Sequence, residues 1–260
     1  MKIVAINGSY RGHRGQTSGF LDLLKTGAEI GGAEVEVIHL AEIKMTHCLG
    51  CDRCHQPEQH LRCVYAEKDD VAGVFERMAS ADCLVYATPV YVFGISSLLK
   101  TFLDRLYGTS DVNQLKVTRS GLFFHHVDEQ VCSKPFVSLI CCDNLDPLMP
   151  CNARDYFTIY ARFMDAPLLG ELIRDGARLF GDVRQREQFP IIPKTAAVYQ
   201  AFQQAGFELA TERRITKRTL RRASQQIIPV PLFEVLRRVR PFKHAMVFHA
   251  SDMLPKAGVK

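Results

Sequence analysis

A doubly wound α/β fold, with one parallel sheet covered by helices on both faces, is what the order of segments predicts. Strand-like and helix-like stretches alternate from Lys2 to Ile173, the pattern of successive β–α–β units. Two strand-like stretches, Cys83–Thr88 and Pro135–Cys142, are continuous apolar runs, as expected where a strand is buried on both faces. Lys2–Asn7 reads as a first short apolar strand. Gln16–Gly31 has helical spacing, with Phe20, Leu21, Leu24 and Ala28 on one side. Glu34–Leu40 alternates Val35, Val37 and Ile38 with acids, as a second strand would. Lys68–Ala81 is amphipathic and helical, Cys83–Thr88 is the third strand, and Ser96–Tyr107 is helical. Pro135–Cys142 supplies the fourth strand, Asn152–Met164 a helix, and Pro167–Ile173 the fifth strand.

Beyond Arg174 the pattern becomes helical, over Pro193–Arg213 and Thr216–Ile227. Pro229 and Pro231 interrupt the chain before a short basic helix, Leu232–Val239. This divides the sequence into a ligand-binding domain, residues 1–190, and a C-terminal helical, basic extension, residues 191–260. The stretch Gly108–Lys134 is poorly patterned. A long irregular insert in a compact domain is usually functional, so it is a candidate lid. Its Arg119, His125 and His126 are assigned no catalytic role.

The 260 residues are 47% hydrophobic, enough for a sizeable core. No apolar run approaches the roughly 20 residues that span a bilayer, and the N-terminus reads as a strand, not a signal peptide. A cytoplasmic protein is the expectation. The net charge of +5 is uneven, with ten Lys/Arg against two acidic residues between Glu212 and Lys243. That surplus reads as a solvated helical tail, with a docking surface for an acidic redox partner as the sharper alternative. Nucleic acid is disfavoured, since the tail lacks interleaved stacking aromatics.

Two loops carry the ligand chemistry. The first strand runs into Asn7-Gly8-Ser9-Tyr10-Arg11-Gly12-His13-Arg14-Gly15-Gln16-Thr17, which opens a helix. Backbone N–H groups and the helix dipole converge there on an anion. Ser9 and Thr17 add hydroxyl donors, and Arg11 or Arg14 adds charge. Neither the Walker nor the dinucleotide pattern is present, which favours a mononucleotide, with an ordinary Gly-rich turn as the alternative reading of this loop alone. The third strand runs into Thr88-Pro89-Val90-Tyr91-Val92-Phe93-Gly94. Two such loops flank a switch point of an open sheet, where ligands bind, and an aromatic loop there suits a flat ring.

Nine cysteines are many for a reducing compartment. Cys48, Cys51, Cys54 and Cys63 give C-x2-C-x2-C-x8-C. Two-residue gaps let consecutive thiolates wrap one iron–sulfur cluster. Structural zinc, which favours separated pairs, and a metal-free loop remain open. His47, His55 and His60 read as loop surface. Cys83, Cys132 and Cys151 read as small core or surface residues.

The residues Gly8-Ser9-x-Arg11…Thr17 and Pro89-Val90-Tyr91-x-x-Gly94…Lys100-x-Phe102-x-Asp104-Arg105 resemble the NADPH-dependent FMN reductase family. The cysteine loop, residues 46–66, with Asp69-Asp70 after it, resembles that family's iron–sulfur flavoprotein branch. The first loop is one residue longer than the family's usual form, and the insert 108–134 has no counterpart in it.

The resemblance implies a flavodoxin-like, five-stranded parallel sheet with the cysteine-rich loop after strand 2 and a C-terminal helical extension. It implies FMN held by Ser9, Arg11, Gln16, Thr17, Pro89, Val90, Tyr91, Phe93 and Gly94, with Cys142 added by its position at the end of the fourth strand. It implies a [4Fe–4S] cluster on Cys48, Cys51, Cys54 and Cys63, NAD(P)H as co-substrate, and a homodimer or tetramer. Electrons would pass from NAD(P)H or a reduced protein carrier, through FMN and the cluster, to a small-molecule or protein acceptor. A cluster-free flavin or quinone reductase is the alternative within this fold, and a redox-sensing binding protein the alternative outside it. The chemistry belongs to the flavin, so no catalytic side chain is expected.

Overall fold

In the computed structural model, residues 1–180, 183, 193–227, 235, 238–242 and 244–245 are described. The described part forms two compact units, Met1–Gln225 and Gln226–Lys260. Five of the eight residues of the expected basic helix Leu232–Val239 lie outside the described residues.

The first unit begins with β1 (Lys2–Asn7), α1 (Gln16–Ile30), β2 (Glu34–His39), α2 (Val71–Ser80) and β3 (Cys83–Tyr91). A two-residue strand β4 (Gly94–Ile95) folds back on β3, and α3 (Ser97–Asp104) follows. Next come a hairpin of β5 (Ser110–Val117) and β6 (Phe123–Val127), then a one-turn α4 (Glu129–Cys132). The remaining elements are β7 (Phe136–Cys141), α5 (Cys151–Phe163), β8 (Leu168–Arg174), α6 (Pro193–Glu212) and α7 (Lys217–Ala223).

The main sheet runs β2-β1-β3-β7-β8, and all of these pairings are parallel. This is the flavodoxin-like order, whose switch point lies between β1 and β3. Those two strands and β7 are buried almost throughout, which is why their sequences are apolar without alternation. One face packs Tyr86, Phe102, Phe136, Phe157 and Tyr160 into a single core with Val74 and Met78 of α2. The ring of Tyr86 lies edge-on to those of Phe136 and Tyr160. The other face is closed by α1 and α6, where Phe20 packs on Phe202 and Phe180.

The stretch expected to be an irregular insert is instead the regular β5–β6 hairpin. Its alternation is hidden in the sequence by a register shift between Asp111 and Leu115, which breaks the two-residue period. Arg119, at its tip, donates from its backbone N–H to Asp165 Oδ1 at 2.8 Å and from Nη2 to the Asp165 carbonyl at 2.9 Å. Asp165 lies in the turn before β8, at the amino ends of the strands. The tip is therefore anchored away from the two ligand loops, and the hairpin is not a lid over them.

Candidate functional site

The carboxyl end of β1 turns sharply at Gly8, whose N–H donates to the Ala87 carbonyl of β3 at 2.8 Å. A methyl group at Gly8 would lie 2.5 Å from Leu99 Cβ and 2.9 Å from Ser96 Oγ, so only glycine fits there. Asn7 is fully buried. Its Nδ2 donates to the Gly12 carbonyl, and its Oδ1 accepts from the Ser9 N–H at 3.0 Å. The loop then makes a helical turn over Gly12–Arg14 and enters α1 through Gly15 in extended conformation.

The first N–H groups of α1 have no acceptor within the helix and face this loop. Ser9 and Thr17 are both buried beside them. Ser9 Oγ accepts from the Arg11 N–H at 3.2 Å, and the Thr17 hydroxyl bonds with the Cys141 thiol. A hydroxyl has two lone pairs and one proton, so Ser9, which accepts here, can still donate to an anion. A methyl at Gly15 would lie 2.7 Å from Ser9 Oγ and 3.1 Å from Arg11 Cβ. Glycine there keeps the cradle open, and the donor set fits a phosphate. Arg11 is exposed at its rim, and Gln16 is half-buried.

The second loop sits beside the first because Ser96 joins them. Its hydroxyl donates to the Gly8 carbonyl at 2.6 Å and accepts from the Leu99 N–H, capping α3. Tyr10 and Ser97 share a further hydroxyl contact at 3.2 Å. Between β3 and β4, Val92 and Phe93 turn the chain with positive φ angles of 45° and 67°, unusual for bulky side chains. Tyr91, Val92 and Phe93 are exposed, while Pro89, Val90 and Gly94 are half-buried. The result is an apolar, aromatic rim next to an anion cradle, suited to a phosphate carrying a flat ring.

Cys142 lies at the end of β7, as expected. Its N–H donates to Arg174, its carbonyl accepts from Ala177, and its thiol donates to Asp175 Oδ1 at 3.2 Å. Only van der Waals contact is left for a ligand.

The cysteine loop leaves β2 and returns to α2. Its neck is tied by Asp69 and Asp70, which accept from the Thr46 and Lys44 N–H groups. Cys48, Cys51, Cys54 and Cys63 all line one hollow, with Leu49, Tyr65, Arg105, Tyr107 and Gly108. All four thiols are free. Burial, and then the neighbouring sulfurs of Cys63, Cys48 and Cys51, push the Cys54 thiol above its ordinary value.

Among the described residues no three Cys, His, Asp or Glu side chains are grouped tightly enough to hold one metal ion. A zinc ion at about 2.3 Å from each sulfur would draw its thiolates to within about 4 Å of one another. Four cysteines around one hollow supply a donor set of the kind that holds an iron–sulfur cluster. His55 departs from the expected loop surface. Its side chain is 6% exposed, it packs edge-on against Tyr107 at 4.5 Å, and it bonds to the Tyr107 carbonyl.

Sequence reasoning assigned no role to Asn7 or to the Asp69–Arg105 pair. The pair is buried, with Arg105 Nη1 2.5 Å from Asp69 Oδ2. It joins residues 36 apart in the chain, so no local pattern announces it. Ser96 could have been found, as a serine directly before a helix.

Residues 1–119 match the family model of the NADPH-dependent FMN reductases. Over that segment, a little under half of the chain, the sequence is similar to this family. It is 34% identical over 105 residues to an iron–sulfur flavoprotein of Archaeoglobus fulgidus, covering 40% of this chain and 48% of that protein. It is likewise 34% identical over 105 residues to an iron–sulfur flavoprotein of Methanocaldococcus jannaschii, covering 40% and 51%. The match thus spans about half the length of these curated relatives. Among solved structures, an FMN-dependent NADH-azoreductase of Bacillus anthracis in complex with FMN aligns with a TM-score of 0.53 at 14% identity, over 81% of this chain and 100% of that one. That likeness is one of fold. The matched segment contains both ligand loops, the cysteine loop and Arg105, while β7, β8, α5, α6 and α7 complete the sheet and its cover. No helix among the described residues is long and apolar enough to cross a membrane.

Proposed function

We propose that this chain is an FMN-dependent oxidoreductase that takes reducing equivalents from NAD(P)H and passes them, through a [4Fe–4S] cluster in the cysteine loop, to an acceptor. The observation that carries the reading is the union of an anion cradle and an aromatic rim at the β1/β3 switch point, held together by Ser96. The α1 N-terminus, Ser9, Thr17 and Arg11 would bind the phosphate. Gln16, Pro89, Val90, Tyr91, Phe93 and Gly94 would border the ring, with Cys142 packing behind it. FMN, when bound, supplies the hydride chemistry and the capacity to pass electrons singly. The chain's part would be to hold the phosphate in the β1–α1 cradle and to orient the ring against the exposed β3–β4 turn.

Cys48, Cys51, Cys54 and Cys63 would hold the cluster. Support comes from their shared hollow and from the names of the relatives that share this segment. The second reading is a cluster-free NAD(P)H-dependent flavin or quinone reductase, favoured by the lack of close ligand grouping among the described residues. Reduced thiols fit a cytoplasmic setting, and assembly as a homodimer or tetramer belongs to the proposal. Light scattering of the FMN-loaded protein should report more than a monomer.

The deciding experiment is anaerobic purification with iron, sulfide and FMN assays. The first reading expects about four irons per chain, loss of iron with retention of FMN in Cys51→Ser, and unchanged iron in Cys83→Ser. It also expects bleaching of the flavin absorbance by NADH or NADPH. Iron-free protein whose flavin is still reduced by nicotinamide would establish the second reading.

A further inference from the structure

Arg105 follows the last turn of α3, and its guanidinium is among the most buried charges of the molecule, with 2% of the side chain exposed. Two of its nitrogens are used. Nη1 donates to the Thr46 carbonyl at 2.7 Å and to Asp69, and Nη2 reaches Asp69 at 3.4 Å. The ring of Tyr65 lies 5.6 Å from the guanidinium carbon. The third donor, Nε–H, is buried and has no acceptor. Buried donors without partners are rare in native proteins, and each calls for an explanation. The explanation lies in where this side chain sits, on the wall of the hollow lined by Cys48, Cys51, Cys54 and Cys63.

We propose that Arg105 positions the cysteine-loop cluster and sets its reduction potential, with its spare Nε–H donating a hydrogen bond to a sulfur of that cluster and Asp69 holding the guanidinium in place. The inference rests on the cluster reading above. Its physical basis is charge. One-electron reduction adds a negative charge to the cluster, and a buried cation that donates to its sulfurs stabilises the reduced form. Asp69 opposes this with its own charge while fixing the direction of the donor. The pair also braces the neck of the loop, since the same Arg105 nitrogen that meets Asp69 meets Thr46.

The test is a dithionite titration of the anaerobically purified full chain, followed by electron paramagnetic resonance, with iron and FMN counted in each sample. Arg105→Met should lower the midpoint by at least the equivalent of tenfold in the reduction equilibrium, about 59 mV for one electron. Asp69→Asn, which keeps the donor and removes the opposing carboxylate, should raise it. Opposite signs in two variants are not expected of a merely structural ion pair. Retained FMN shows that the fold survives. Should Arg105→Met fail to fold, the Asp69→Asn midpoint decides alone. Full iron with an unmoved midpoint in the variants that fold overturns the role of Arg105 and leaves the cluster reading intact. Absence of iron from the wild-type protein overturns both.

Discussion

Val92 and Phe93 hold left-handed backbone at the tip of the β3–β4 turn, a conformation that costs a non-glycine residue about 1–3 kcal/mol. Val92 is 89% exposed, so little packing offsets the strain. Val92→Gly should therefore stabilise the fold by about 1 kcal/mol and raise the thermal midpoint by roughly 2–4 °C. A lowered midpoint would show that the turn is not strained. The residues of this loop were legible as an aromatic surface. Their backbone was not, because Gly94 beside them reads as the natural left-handed position and is not used as one. The thiols separate in the same local way. Burial pushes Cys83, Cys132 and Cys141 up to about 12, where the reactive thiolate is scarce at neutral pH. Brief alkylation of iron-free native protein should label Cys51, which is exposed, and spare these three. Labelling of Cys83 at a comparable rate would contradict the buried β3 that carries it.

At the scale of elements, α1 and α6 approach more closely than side chains permit. A methyl on Gly27 would strike the Gln203 carbonyl oxygen, and one on Gly206 would strike that of Leu24. Gly31 faces Ala210 in the same seam, where an added methyl would lie 2.8 Å from its Cβ. Alanine gains about 1 kcal/mol of helix propensity over glycine, but here the backbones would have to part, and overpacking costs about 1–3 kcal/mol or more. Gly206→Ala should lower stability in denaturant titrations. Gly73→Ala on α2, where nothing lies within 4 Å, should raise it by up to about 1 kcal/mol. Equal effects of the two substitutions would rule out the close seam. Both helices were readable from their periodicity, but the seam was not, since a glycine inside a helix reads only as a propensity cost. The β5–β6 hairpin was missed because its register shift removes the alternation that marks strands.

Across the whole molecule, several carboxyl groups carry folded-state pKa values below their ordinary ones. Against burial, Arg105 and the Thr46 and Val71 N–H groups lower Asp69. Also against burial, the Thr216 N–H and the Thr219 hydroxyl lower Glu208. The Lys2 N–H lowers Asp82. Each group contributes stability that is complete above the unfolded carboxylate range, near pH 4, and is lost as pH falls through its depressed folded value. Circular dichroism should show stability falling below about pH 4, with a shallower slope in Glu208→Gln; an unchanged slope would deny Glu208 this share. The parallel sheet was legible from Cys83–Ala87 and Pro135–Cys142, apolar without alternation. Its lateral order was not, since pairings such as Ile3 with Cys83 join residues 80 apart in the chain. The two ligand loops were legible because they are local. The hinge between them, Ser96 on Gly8, was not, because 88 residues separate its ends. The measurement that bears most directly on the site is FMN affinity, by fluorescence titration of cofactor-stripped protein against Ser9→Ala/Arg11→Ala. Charge-assisted hydrogen bonds contribute about 1.5–3 kcal/mol each, so the double variant should bind FMN at least about tenfold more weakly. Affinity equal to that of the wild type would contradict the assignment of the β1–α1 cradle to the flavin phosphate.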